Sequence, residues 1–358
     1  MEYAAEPNLL LETLSYLGRK ASGKTWTDTQ NSIQRRKITV TEEFQCIFDK
    51  LTALTAQLDR KIILSEEKLT FFFANLEGMP HNTIGSGSIA FLLFYSFLEK
   101  YDGSLDHLKE EALALTPSQT AFHIAQALDF TDSCEDVGEY DPQLFLEQVL
   151  SQAYPEHTKL CIMDCYARHH KLMEEACDFI LPVLKAVTAI KTSLISVTDL
   201  LTKDVSLAGC EAFLTQISHL KPAEGSSYLL RPFIFGMDTN LSSDIAPGRV
   251  CIYCGILRKA ILTMLGGQSS VSNTVYEAFR VLGDKTRFDM LCYLKDHPTY
   301  SQDLAARFNL SRNTIHHHMS KLIATNLVKC TIDGNRIYYS LDAETWELLL
   351  KDQRSLFL

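Results

Sequence analysis

The 358-residue chain is 46% hydrophobic and 22% charged, which excludes a disordered polymer and is long enough for two or three domains with real cores. Its 34 Lys+Arg against 44 Asp+Glu give a formal net charge of −10, so a surface that is basic throughout is excluded. Ten cysteines behind the acidic start MEYAAEPNLL, with no secretory signal, read as thiols in a reducing cytoplasm, and the apolar stretch from Ile89 to Leu98 is too short to span a bilayer.

In chain order, leucines at helical spacing predict a helix over 7–20, and the polar stretch 21–37 with Arg35-Arg36 predicts a loop. A long helix over 41–61 follows from Phe44, Ile47, Phe48, Leu51, Leu54 and Leu58, and a short one over 69–76 comes after it. Gly85-Ser86-Gly87-Ser88 opens an apolar helix over 89–98; without a following Lys-Ser or Lys-Thr it reads as a turn rather than a phosphate cradle. Helices are predicted over 105–115, 117–128 and 143–152. Between them lies an acidic stretch whose spacing is not that of a calcium loop and which reads as solvated. Pro155 suits the first turn of a long helix, bent at Pro182 and resumed to 201, with another helix over 207–220. Two antiparallel strands over 228–235 and 249–256 flank a polar loop, 236–248. A helix over 257–265 and a flexible joint over 266–270 lead to a helix over 273–281. Asp284 then caps a helix carrying Phe288, Leu291 and Leu294.

The segment from Ser301 to Leu341 is the most informative. Leu304, Ala305 and Phe308 make a short amphipathic helix, Asn309-Leu310 a turn, and Ser311 stands where an N-cap belongs. The next helix carries Ile315, Met319, Leu322 and Ile323 on one face. Asn313, His316, His317, Ser320 and Lys321 lie on the other, as in a helix that reads base edges in a major groove. Asn326 suits a left-handed exit, and Asp333-Gly334 between alternating runs marks a β-hairpin. From Val271 onward there are 11 basic and 10 acidic residues. Leu304 to Ile332 holds no acid but has Arg307, Arg312, Lys321 and Lys329, so the positive surface is local.

These residues resemble the winged helix-turn-helix domain of the ArsR family of bacterial transcriptional regulators. The likeness is carried by Val281-Leu282-Gly283-Asp284-Lys285-Thr286-Arg287, Leu310-Ser311, Thr314-Ile315, His317-His318-Met319, Asn326-Leu327-Val328, Gly334-Asn335-Arg336 and Tyr338-Tyr339. The resemblance implies a cytoplasmic, sequence-specific regulator, such as a repressor, that binds double-stranded DNA as a homodimer. The recognition helix, 312–324, would lie in the major groove and the wing, 328–341, on the backbone. The expected DNA-contact residues are Arg312, Asn313, Thr314, His316, His317, Ser320, Lys321, Lys329 and Arg336, with His318 packed near the domain body. The family's familiar metal sites do not carry over: 300–304 has no thiol, and the last helix, 343–352, has no His.

Two other clusters bear soft ligands. His157, Cys161, Cys165, His169, Met173 and Cys177 recur every four residues, which reads either as a core seam or as a metal- or thiol-sensing face. Cys251 and Cys254 form a lone CxxC on a predicted strand, where i and i+3 face opposite ways; structure is the simpler reading beside zinc or redox chemistry. No cofactor is implied. No nucleophile elbow, zinc-protease His pair, phosphate loop or dinucleotide fingerprint is present, so the chain is not read as an enzyme.

The fold expected is mainly α. A helical N-terminal domain over 1–222 would sense an effector, a small molecule or a metal, or support dimerisation. A small β-pair and connector helix occupy 223–270, and a winged helix-turn-helix 271–358. The alternatives are a sensor that acts mainly through protein contacts, or an enzyme domain with a DNA-binding tail.

Overall fold

The computed structural model describes residues 1–35, 40–79, 87–101, 103–128, 130, 138–218, 220–222, 227–246, 249–267, 271–310, 312–333 and 336–357. Gly85 and Ser86 of the expected Gly-Ser turn, most of the acidic stretch, residues 268–270 of the expected joint over 266–270, the cap Ser311 and Gly334 of the expected Asp333-Gly334 turn lie outside these residues, while Gly266 and Gly267 of that joint are helical. The architecture is mainly α, as the sequence predicts. By packing, the chain forms two compact units, each built from two segments: Met1–Leu207 with Tyr228–Arg258, and Ala208–Ser227 with Lys259–Leu358. The sequence-based boundaries at 222 and 270 follow linear order and differ from this division.

The first unit begins with β1 (Glu2–Tyr3), α1 (Leu9–Ala21), α2 (Trp26–Arg35), α3 (Glu42–Lys61) and α4 (Glu66–Phe73). It continues with α5 (Ile89–Phe94), a 3-10 turn at Tyr95–Phe97, α6 (Leu105–Leu113), α7 (Pro117–Ala127) and α8 (Pro142–Ser151). Then come α9 (Glu156–Ala167), α10 (His169–Ala189), α11 (Lys191–Ile195) and α12 (Asp199–Ala208). The chain passes through α13 (Cys210–Ser218) and β2 (Leu220–Pro222) of the second unit before returning for β3 (Ser227–Phe233), β4 (Asn240–Ala246) and β5 (Arg249–Gly255).

Local chemistry sets these boundaries. Thr41, Ser65, Ser88 and Ser104 each accept an amide of the helix they precede, and Thr116 with Gln119 closes a full capping box ahead of Pro117. α10 packs on α1, α3 and α6 and buries Leu172, Met173, Ile180, Val183 and Val187. α1 is fixed to the turn that follows β3 by Glu12, which is fully buried; its two carboxylate oxygens accept the amides of Ile234 at 2.7 Å and Phe235 at 2.9 Å. Burial raises the Glu12 pKa to about 8 against those two amides, which favour the charged form.

Several expectations are corrected. The stretch 21–37 is not all loop, because α2 forms there: Thr25 Oγ1 and Asp28 cap its first turn reciprocally, while only Trp26 and Ile33 are buried, too sparse a pattern to read. The long helix breaks at Arg168 and continues through Pro182. Asp178, whose carbonyl Pro182 leaves without a donor, is exposed, so water can serve it. The helix expected over 207–220 is interrupted at Gly209, whose φ of 79° suits glycine. The polar loop 236–248 contains β4, an edge strand of the sheet ordered β1-β3-β5-β4. Asn240, Ser242 and Asp244 are tolerated at such an edge although they break the apolar pattern. β4 is antiparallel to β5, and β1 runs parallel to β3.

The second unit continues with α14 (Arg258–Gly267), α15 (Val271–Leu282), α16 (Lys285–Asp296), β6 (Thr299–Tyr300), α17 (Ser301–Phe308) and α18 (Arg312–Ala324). It ends with β7 (Val328–Asp333), β8 (Arg336–Leu341) and α19 (Ala343–Phe357). Its sheet has the order β2-β7-β8-β6; β7 and β8 are antiparallel, and β2 lies parallel to β7 with Leu220 opposite Cys330. No helix among the described residues is long and apolar enough to cross a membrane.

Candidate nucleic-acid interface

The helices leading to the interface are joined by a tight hydrogen-bonded corner. Gly283 N donates to Phe279 O at 2.8 Å and ends α15. Asp284 then caps α16 by accepting Arg287 N at 3.0 Å. The Arg287 side chain is buried and turns back, its Nε donating to Val281 O at 2.6 Å. The amide of Arg287, then its guanidinium and His318, holds Asp284 below the usual carboxylate range. Arg287 therefore serves the corner.

α17 ends at Asn309 with φ 52° and its amide on Ala305 O, and the chain leaves α18 at Asn326 with φ 58°. Both are asparagines at left-handed positions, as the sequence predicts for Asn326. Ile315, Met319 and Leu322 of α18 are fully buried in a core with Leu291, Leu294, Leu304, Leu327 and Val328. Burial of each such side chain contributes about 1.5–3 kcal/mol, which seats the helix firmly. Ser320 and Lys321 are exposed, and Thr314 is half-buried. The backbone at 312, 313, 316 and 317 is helical, and Arg336 lies in β8. The side chains of Arg312, Asn313, His316, His317 and Arg336 fall outside the described residues. His318 is turned toward the domain, 13% exposed, with Nδ1 3.8 Å from Asp284 Oδ1.

On the hairpin, Asp333 pairs with Arg336, so Asp333 belongs to the strand, one residue beyond the expected strand end at Ile332. Lys329 was expected to hold phosphate. Its ammonium instead lies 3.0 Å from Asp342 Oδ1, and both side chains are largely covered. Asp342 also accepts Thr345 N at 3.1 Å at the start of α19. This neutralisation had no signal in the sequence.

α15 and α19 pack together. Tyr276, Phe279, Leu348, Leu350, Leu356 and Phe357 on these two helices are exposed, 39–69% of each remaining accessible. Isolated surface apolar residues are ordinary; of these six, Tyr276 and Phe279 lie three positions apart on α15 and so share one side of it.

The soft-ligand candidates separate. His157 is exposed and faces Glu77, with Nε2 3.4 Å from Oε2, whereas Cys161 is half-buried and Cys165, His169, Met173 and Cys177 are buried in the core. Burial pushes the Cys165 thiol up to about 12 and the His169 imidazole down to about 4. Neither His169 ring nitrogen has a hydrogen-bond partner, although its ring lines a cavity of about 460 Å³ beside Thr120 and Tyr166. Cys251 and Cys254 are both buried in β5; Cys254 Sγ donates to Ile252 O at 3.6 Å, and burial beside Glu99 pushes the Cys251 thiol up. Among the described residues no three His, Cys, Asp or Glu side chains gather as a metal ion requires.

Comparison with known proteins adds the following. The family model for bacterial regulatory protein, arsR family, matches residues 284–329. HTH-type transcriptional regulator KmtR of Mycobacterium tuberculosis is 33% identical over 78 residues, 22% of this chain and 60% of the relative. The arsenical resistance operon repressor of Staphylococcus aureus is 33% identical over 63 residues, 18% of this chain and 61% of the relative. Transcriptional repressor SdpR of Bacillus subtilis is 34% identical over 64 residues, 18% of this chain and 71% of the relative. The chain thus spans about three fifths of the first two relatives. No solved structure matches.

Proposed function

The chain belongs to the arsR family of bacterial regulatory proteins, and on that premise we propose that it is a sequence-specific DNA-binding transcriptional regulator. α18 enters the major groove and the β7–β8 hairpin rests on the backbone. The observation that carries this reading is the two-sided character of α18. Ile315, Met319 and Leu322 are sunk in the core, while Ser320 and Lys321 are exposed on a segment free of acids from Leu304 to Ile332. Arg312, Asn313, Thr314, His316, His317 and Ser320 are the base-edge or nearby phosphate contacts, and Lys321 and Arg336 the backbone contacts. Lys329 is secondary because Asp342 occupies it.

A homodimer formed through α15 and α19 would present two recognition helices to half-sites one helical turn apart, and the exposed Tyr276 and Phe279 on one side of α15 support it. Repression is the mode favoured by the relatives named repressors. The first unit is the effector-sensing part: a ligand with different affinities for the free and DNA-bound protein would shift operator occupancy.

Selection from random duplexes followed by fluorescence anisotropy at several salt concentrations tests this. A selected site bound tightly with a steep salt dependence, and lost in Arg312→Ala/His317→Ala, is expected. Binding equal for all duplexes, or unchanged in the double variant, would overturn it.

A further inference from the structure

The corner where α1, α2 and α3 meet forms a half-open cavity of about 310 Å³, a size suited to a small organic molecule. Its wall includes Tyr16, Arg19, Lys24, Trp26, Thr55 and Ala56. Arg19 is the unusual member, because it is only 6% exposed. A buried guanidinium ordinarily faces a carboxylate. Here both hydrogen bonds leave from Nη2 and end on neutral oxygens, Thr25 O at 3.1 Å and Thr29 Oγ1 at 2.8 Å. Among the described residues no carboxylate lies within ion-pair distance of it. Burial lowers the Arg19 pKa to about 10, opposed only by the longer-range charges of Asp238 and Asp28.

The guanidinium is held rather than loose. Its carbon lies 3.6 Å from the centroid of the Trp26 ring. That ring is fixed by Nε1 donating to Thr55 Oγ1 at 2.8 Å and by stacking on Phe235, with centroids 5.9 Å apart. Asp59, the acid on the cavity wall, is already engaged: Tyr16 OH donates to it at 2.6 Å, and Lys20 Nζ lies 3.1 Å away. Arg19, Lys20 and Lys24 therefore outnumber it on the wall, and the field inside favours an anion. Thr52, Thr55 and Ala56, which keep accessible surface on the wall, add apolar area that a bare inorganic anion would leave uncovered, whereas Tyr16 and Trp26 are nearly covered and contribute little of it.

We propose that this cavity binds a small organic carboxylate, its acid group on the free side of the Arg19 fork and its apolar body against Ala56, Thr52 and Thr55. That such a ligand acts as the effector rests on the regulator reading above; that it binds does not.

The full-length chain carries two tryptophans, Trp26 and Trp346, so Trp346→Phe leaves Trp26 as the single reporter. The protein without DNA is titrated with benzoate, with the neutral analogue benzamide and with inorganic phosphate. A saturable change in Trp26 emission with benzoate alone is expected. It is abolished by Ala56→Phe, which fills the wall and leaves Arg19 in place, and weakened about tenfold or more by Arg19→Lys, which keeps the charge and loses the fork. Should Arg19→Lys fail to fold, Ala56→Phe decides. An equal response to benzamide overturns acid recognition, and a response to phosphate alone overturns the organic body. Undiminished benzoate binding in Ala56→Phe, or no saturable response in folded Trp346→Phe protein, overturns the site. Loss of DNA binding in a protein that still answers benzoate would sink the regulator reading and leave this one standing.

Discussion

Lys329 on the first strand of the hairpin places its ammonium 3.0 Å from the carboxylate of Asp342, the residue that caps the last helix. A charge that resembles a phosphate contact in the sequence is therefore tied inside its own domain. Lys321→Gln is expected to flatten the dependence of log affinity on log salt by about 0.9, whereas Lys329→Gln changes it by much less. Asp342→Ala removes the cap, destabilises the second unit by about 1 kcal/mol, and makes the Lys329→Gln change visible. Anisotropy over a range of salt concentrations separates these outcomes.

The apolar residues left open on α15 and α19 make a second expectation concrete. Phe279→Glu places a charge on that face without touching the core around Ile315 and Met319. Sedimentation velocity should report a monomer for the variant and a dimer for the parent. Affinity for a two-half-site duplex should fall far more than affinity for a single half-site.

His169 yields a prediction about acid stability. Its pKa is lowered to about 4 by burial first, then by His170, while the neighbouring His123 is lowered to about 3 by burial, Lys100 and His169. Both imidazoles are neutral in the fold and would take up protons on unfolding near 6.5. Their contribution is thus complete above pH 6.5 and is lost as pH falls toward 4 for His169 and toward 3 for His123. His169→Leu removes two unpaired nitrogens from the interior and is expected to raise stability by about 1–2 kcal/mol while softening the acid limb. Urea denaturation monitored between pH 4 and pH 8 measures both effects.

Glu12 acts with the opposite sign. Burial raises its pKa from 4.5 to about 8, so between those values the folded chain holds a proton that the unfolded chain has released. Stability from this group is present below pH 4.5 and declines as pH rises to 8. Above pH 6.5 the two histidines no longer contribute a slope, and the decline there belongs to Glu12 among these three. Glu12→Gln should flatten the curve over that window. It also costs about 1–3 kcal/mol, because an amide group cannot accept from both Ile234 and Phe235.

Seating of the recognition helix can be tested apart from its outward face. Met319→Ala opens a void beneath α18 and is expected to cost about 2–5 kcal/mol. At temperatures where the variant remains folded, the selected site should bind more weakly without a change in salt slope.

The parts of the fold that local pattern governs were legible. Ile315, Met319 and Leu322 announce the buried stripe of α18, Asn326 its left-handed exit, and Asp284 the cap of α16. α2 escaped because its stability comes from Thr25 and Asp28 capping a turn and from Trp26 meeting Arg19, with little apolar periodicity. β4 escaped because an edge strand need not alternate. The binding of Lys329 to Asp342 and the lack, among the described residues, of a carboxylate beside Arg19 are three-dimensional facts with no counterpart in residue spacing.

The three residues Leu220–Pro222 extend the hairpin sheet along β7, although more than a hundred positions separate the two strands in sequence. A fragment that starts at Val271 would bare that margin of β7, inviting fibre-like self-association in place of a well-behaved minimal domain. A protease nick at the junction between Arg258 and Lys259 would, by the same stitch, leave two polypeptides that migrate as one under native conditions and part only in denaturant.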